Sequence, residues 1–249
     1  MDMDMNINSS VSGSRPFLEA VIFDMDGLMI DSERFVALSW DKAGEEMGYG
    51  PLGFHMPNTL GMNRKRREAY FLEQYGPDFP FLQFLETYRR IYFEETQKNG
   101  LPLKPGLVSL LDYLKKHHIK AAVASSSSAE HVLGNLSKNH LEDYFQAVIN
   151  GSMIRHSKPE PDIYLEACRQ LQTAPCKAMA LEDAPNGILS ASRAGLYPVM
   201  VPDLVQPEEN LKPHIFQICD SLEEIPALIE ACFTIRQDQS ILPEKQRNP

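Results

Sequence analysis

The feature that most constrains this fold is an alternation. Short apolar runs at Ala20 to Phe23, Lys120 to Ala124, Ala147 to Asn150, Ala178 to Leu181 and Pro198 to Val201 punctuate the chain. Runs of this length without polar alternation fit strands buried on both faces. Helical patterns separate most of them: "GLVSLLDYLKKHH" (106–118), "AEHVLGNLSKN" (129–139), "PDIYLEACRQLQ" (161–172) and "PNGILSASRAG" (185–195). Strand and helix in alternation make βαβ crossovers, so the spacing predicts a doubly wound α/β domain around a parallel sheet. One stretch breaks the rhythm. From Arg34 to about Gly100 no strand pattern occurs, only helical stretches such as "ERFVALSWDKAGEEMG" and "FLQFLETYRRIYFEETQ". Loops that long are rare without structure of their own, so the segment reads as a helical insertion after the first strand, with "LPLKPG" (101–106) as the return linker. The expected organisation is a core of residues 18–33 and 102–233, a helical cap of residues 34–101, and flexible, turn-rich tails at 1–17 and 234–249.

In an open parallel sheet, ligands bind beyond the carboxyl ends of the strands, so the residue after each apolar run matters most. The first run ends in Asp24-Met25-Asp26-Gly27, the second in Ser125-Ser126-Ser127, and the run at 178–181 in Glu182-Asp183, while Lys158 stands in the loop "HSKPEPDIY". Within "AVIFDMDGLMIDSE", Asp24, Asp26, Asp31 and Glu33 follow one another without a positive side chain between them. Mg²⁺ prefers hard oxygen ligands and pairs with phosphate, so it would neutralise such a cluster and hold an anion beside it. Calcium-loop geometry does not fit: that motif needs glycine sixth and glutamate twelfth, whereas Gly27 is fourth and a strand precedes. Glu182-Asp183 also suits the dipole of a helix opened by Pro185, and Ser127 with Glu130 fits a capping box.

Composition closes off other classes. The formal charge of −10 would repel nucleic acid, and the basic run Arg64 to Arg67 is too short to reverse that. Apolar runs fall far short of a membrane span, and the first residues lack the charge and apolar pattern of a secretory leader, so a cytoplasmic location is expected. Cys168, Cys176, Cys219 and Cys232 form no CxxC, which argues against a disulfide framework or zinc site. The seven histidines show no HxH or HExxH spacing and read as non-ligands.

The segments "DMDGLMIDSE", "AVASSSS", "SKPEPDIY" and "LEDAPNGI" resemble, in order and spacing, motifs one to four of the haloacid dehalogenase-like hydrolase superfamily, in its β-phosphoglucomutase-like branch with a helical cap. The resemblance spans residues 19–232 and implies a Rossmann-like core acting through an aspartyl-phosphate. By it, Asp24 is the nucleophile. Asp26 protonates the leaving oxygen and then deprotonates water, tasks that require a suitable pKa. Asp24, the Asp26 backbone carbonyl and Asp183 would hold Mg²⁺, with Glu182 ligating directly or through water. Ser125 would bind a phosphoryl oxygen, with Ser126 and Gly27 beside it, and Lys158 would offset charge. In "TLGMNRKRRE", Gly61 and Arg64 match a cap loop that contacts a second anionic group; a solvent-facing helix start is the alternative for Arg64. The expected protein is a Mg²⁺-dependent phosphatase of a small phosphorylated metabolite, expected to be a sugar phosphate, and a monomer or weak homodimer. A phosphosugar mutase is the alternative, ahead of a DxD-type glycosyltransferase or a non-catalytic binding module. Against the mutase stands Val36, twelve residues after Asp24, where the mutases carry a histidine that ties the acid/base to sugar binding.

Overall fold

The structure, a computed structural model, describes residues 15–59 and 64–235, leaving out the side chains of 97–99. Six parallel strands form one sheet: β1 (Ala20–Phe23), β2 (Lys120–Ala124), β3 (Ala147–Ile149), β4 (Ala178–Glu182), β5 (Tyr197–Met200) and β6 (Gln217–Ile218), in the order β3-β2-β1-β4-β5-β6. Helices α1 (Ser32–Glu46), α2 (Met56–Thr59), α3 (Arg64–Tyr75) and α4 (Phe81–Asn99) lie between β1 and β2. Then come α5 (Leu107–Lys116), α6 (Ala129–Lys138), α7 (Asp162–Leu171), α8 (Pro185–Ala194) and α9 (Ile225–Cys232). The expected doubly wound sheet is present, with strand ends shifted by a residue: β4 runs on to Glu182, β5 begins at Tyr197, and β3 stops before Asn150, whose side chain accepts from Ser152 N.

Side-chain size on alternate strand positions explains the layering. One face presents Val21, Phe23, Val123 and Leu181, against which α5, α6 and α9 bury Leu110, Leu114, Val132, Leu136 and Ile229. The other face is almost all alanine, with Ala20, Ala122, Ala124, Ala178 and Ala180 around Ile22; α7 and α8 pack there through Ile163, Tyr164, Ala167 and Ala191. Small residues on that face bring α7 close to the strand ends, where its Tyr164 is needed.

The inserted helices carry an apolar cluster of their own. Trp40 of α1 meets Phe71 of α3 and Phe84 of α4 edge-on, each at 5.5 Å between ring centroids, and the Arg67 guanidinium lies 5.5 Å from the Trp40 ring. Chain entry and exit run side by side: Ile30 and Leu103 form an antiparallel bridge, Asp31 N donates to Pro102 O at 2.9 Å, and Lys104 N donates to Met29 O at 2.9 Å. Phe17 and Thr234, read from the sequence as the inner ends of two tails, form a parallel bridge, and Leu18 is buried.

Candidate active site

β1 lies between β2 and β4, so three strand ends converge on the cleft. Asp24 N still donates to Leu181 O at 3.0 Å, which fixes the backbone as the side chain leaves the sheet. Lys158 arrives from the loop before α7 and is buried. Its ammonium donates to the Asp24 carboxylate, to Glu182 Oε1 at 2.6 Å and to Ala124 O at 2.9 Å, spending its three protons on three strand ends. The Tyr164 hydroxyl also donates to Glu182 Oε1, and the Tyr164 ring lies 5.3 Å from the ammonium. Burial works against the lysine's charge, but Asp24 and Glu182 outweigh it and hold the amine above its ordinary range.

Oxygens of Asp24, Glu182 and Asp183 all lie within 4.8 Å of one another. Burial, then the Glu182 and Asp26 charges, push Asp24 up to about 7 even though Lys158 draws it down. Asp183 has no ion-pair partner among the described residues, and burial beside Asp24 and Glu182 raises its carboxyl well above the carboxylate range. Three buried carboxylates, only two of which meet the lysine, fit a divalent cation such as Mg²⁺, which would supply the missing positive charge. Two glycines leave room for these carboxylates. A Cβ on Gly27, whose φ is +85°, would lie 2.2 Å from Asp183 Oδ2, and one on Gly187 would lie 1.9 Å from the Glu182 carboxyl carbon.

Asp26 points elsewhere. Its Oδ2 accepts from the Ser127 hydroxyl at 2.7 Å, and its Oδ1 lies 3.0 Å from His131 Nε2. Burial opposes its charge, but His131, Ser127 and Ser32 hold the carboxyl below its ordinary value. His131 is a site residue that spacing in the sequence does not reveal. The helix cap also differs from expectation: Ser128, not Ser127, is extended and accepts from His131 N at 3.3 Å, because the Ser127 hydroxyl is engaged with Asp26. Ser125 is buried, its Oγ accepting from Ser127 N at 3.1 Å, and Ser126 lines the cleft. The cleft, about 240 Å³, gathers Asp24, Asp26, Glu33, Ser126, Lys158, Glu182 and Asp183. Arg64 stands exposed at the start of α3, outside this lining, and Gly61 lies outside the described residues.

A buried lysine side chain and carboxylates from adjacent parallel strand ends, with helices inserted after the first strand, define a doubly wound α/β protein with an acidic, cation-compatible cleft at its strand ends. The chain belongs to the haloacid dehalogenase-like hydrolases, whose family model matches residues 21–201. It is 27% identical to the phosphorylated carbohydrates phosphatase of Thermotoga maritima, over 86% of this chain and 91% of that protein. Against the beta-phosphoglucomutase of Bacillus subtilis it is 31% identical, over 74% of this chain and 83% of that protein. The solved structure of a HAD family hydrolase from Deinococcus radiodurans, with bound phosphate and sodium, superposes with a TM-score of 0.74 at 25% identity, covering 88% of this chain and 97% of that one.

Proposed function

We propose that this enzyme is a Mg²⁺-dependent phosphatase of a small phosphorylated carbohydrate. The observation that carries the reading is the Lys158 ammonium shared by Asp24 and Glu182 beside Asp183, which has no ion-pair partner among the described residues. Lys158 draws the Asp24 carboxyl down against its burial and so favours the ionised form that a nucleophile requires. Asp24 attacks phosphorus in line with the leaving oxygen, which takes a proton from Asp26. Asp26 then removes a proton from the water that cleaves the aspartyl-phosphate. The Lys158 ammonium offsets charge between Asp24 and the transferring phosphoryl group, and Ser125 and Ser126 line its oxygens. Asp24, Asp183, Glu182 and the Asp26 carbonyl would hold Mg²⁺, which supplies electrostatic stabilisation to the phosphoryl oxygens when bound. Helices of residues 34–101 serve as a cap that excludes water and reads the sugar. Four free cysteines suit a reducing compartment such as the cytoplasm, and no helix among the described residues is long and apolar enough to cross a membrane.

The phosphatase of Thermotoga supports hydrolysis, the mutase of Bacillus supports transfer, and Val36 favours the first. It packs on the aromatic cluster of the inserted helices and has no group to bond Asp26. Phosphate release from a panel of sugar phosphates, with Mg²⁺ and with chelator, tests the reading. Release should require Mg²⁺ and vanish in Asp24→Asn. Phosphorus NMR with a sugar bisphosphate primer decides the alternative: accumulating inorganic phosphate is expected, and interconversion of sugar 1- and 6-phosphates without release would establish a mutase.

A further inference from the structure

Asp26 is gripped chiefly by one segment of the core, with Ser32 at the start of α1 as a further hydrogen-bond donor. Both of its oxygens meet donors of one segment, Ser127 at 2.7 Å and His131 Nε2 at 3.0 Å. That segment leaves β2 and enters α6, where the Ser128 cap and the buried Val132 and Leu136 fix its register. Val36, by contrast, is committed to the apolar cluster of the insertion. We propose that His131 is the positioning residue for Asp26: the imidazole, with Ser127, holds the acid/base carboxylate in place from the core side of the cleft.

The inference rests on Asp26 as the acid/base assigned above, and deepens it. In the first step a P–O bond breaks and an Asp24–P bond forms while the leaving oxygen takes a proton from Asp26, which has first picked it up from solvent against the grip of its two donors. In the second, water oxygen attacks phosphorus, the Asp24–P bond breaks, and Asp26 takes the water proton. His131 keeps its own protons throughout. The same donors hold Asp26 as the carboxylate that takes the water proton in the second step.

The test compares His131→Ala, His131→Gln and Asp26→Asn in the full chain with Mg²⁺. Two substrates are used: the best sugar phosphate of the panel, whose alkoxide needs a proton, and p-nitrophenyl phosphate, whose phenolate leaves without one. His131→Ala should lower kcat on the sugar phosphate about tenfold or more, with KM changed by less than about twofold. Single-turnover nitrophenolate release should stay near wild type. His131→Gln, which keeps a hydrogen-bond donor, should recover most of the lost kcat. Equal losses on both substrates, a change in KM alone, or wild-type kcat in His131→Ala would overturn the proposal; if that variant fails to fold by circular dichroism, His131→Leu decides by the same criteria. Asp26→Asn separates the two layers of the argument. Without the leaving-group split in Asp26→Asn, the role of Asp26 falls and the inference with it. A split there beside an unaffected His131→Ala removes His131 alone.

Discussion

Lys158 carries the charge balance of the cleft, and its removal exposes what the carboxylates cost. Breaking a buried ion pair by deleting one partner costs about 3–5 kcal/mol, because the remaining charges have no compensation. Lys158→Met therefore leaves Asp24, Glu182 and Asp183 together without a cation and should lower the thermal midpoint in chelator by roughly 10 °C. Mg²⁺ should restore part of the loss, since an ion that binds only the folded state stabilises it by mass action. A midpoint unchanged in chelator would show that the cluster is not strained by its own charge. At this scale the sequence is informative about one half of each pair. Asp24, Asp26, Glu182 and Asp183 are legible because each follows an apolar run. Their partners come from far away: Lys158 reaches Asp24 across 134 residues, and His131 reaches Asp26 across 105. Such separations leave no local period: Lys158 is visible in the sequence as a loop lysine whose role the resemblance supplies, and His131 is not visible as a site residue at all.

Elements position these residues through packing that composition announces unevenly. The first turn of α8 lies against Glu182, and Gly187 is where they touch. Gly187→Ala introduces a better helix former but drives a methyl group into a carboxylate already held by Lys158 and Tyr164. Overpacking of this kind costs about 1–3 kcal/mol, so the variant should melt lower and show a weaker Mg²⁺-induced thermal shift, read by calorimetry. An undiminished shift would mean that Glu182 plays no part in holding the ion. Buried strands are legible at this scale because both of their faces are apolar. β6 is not, being two exposed residues, Gln217–Ile218, that join the sheet only by pairing with β5. The cap of α6 was misplaced by one residue for a related reason: four successive serines offer equal local chemistry, and the choice among them is made by Asp26, a tertiary partner.

For the whole molecule, burial sorts the four thiols. Cys176 is exposed, whereas burial pushes Cys168 up to about 11, and burial followed by Glu224 and Asp220 pushes Cys219 up to about 12. Raised pKa values deplete the reactive thiolate, so at pH 8 only about one part in a thousand of Cys168 is ionised. A thiol reagent should thus titrate Cys176 quickly and reach Cys168 and Cys219 only in denaturant; rapid modification of all four in the native protein would contradict the packing. The layered architecture was the most legible property of the chain, because alternation along the sequence maps directly onto alternation of layers. How the insertion joins the sheet was not, since it depends on pairing between Ile30 and Leu103. That pairing makes a narrow two-stranded stem, bonded again through Asp31 to Pro102 and Lys104 to Met29. Everything beyond the stem can therefore be lengthened, shortened or exchanged without changing the distance that the sheet must span, so the insertion can vary as a detachable cassette while the carboxylate cluster stays with the strand ends.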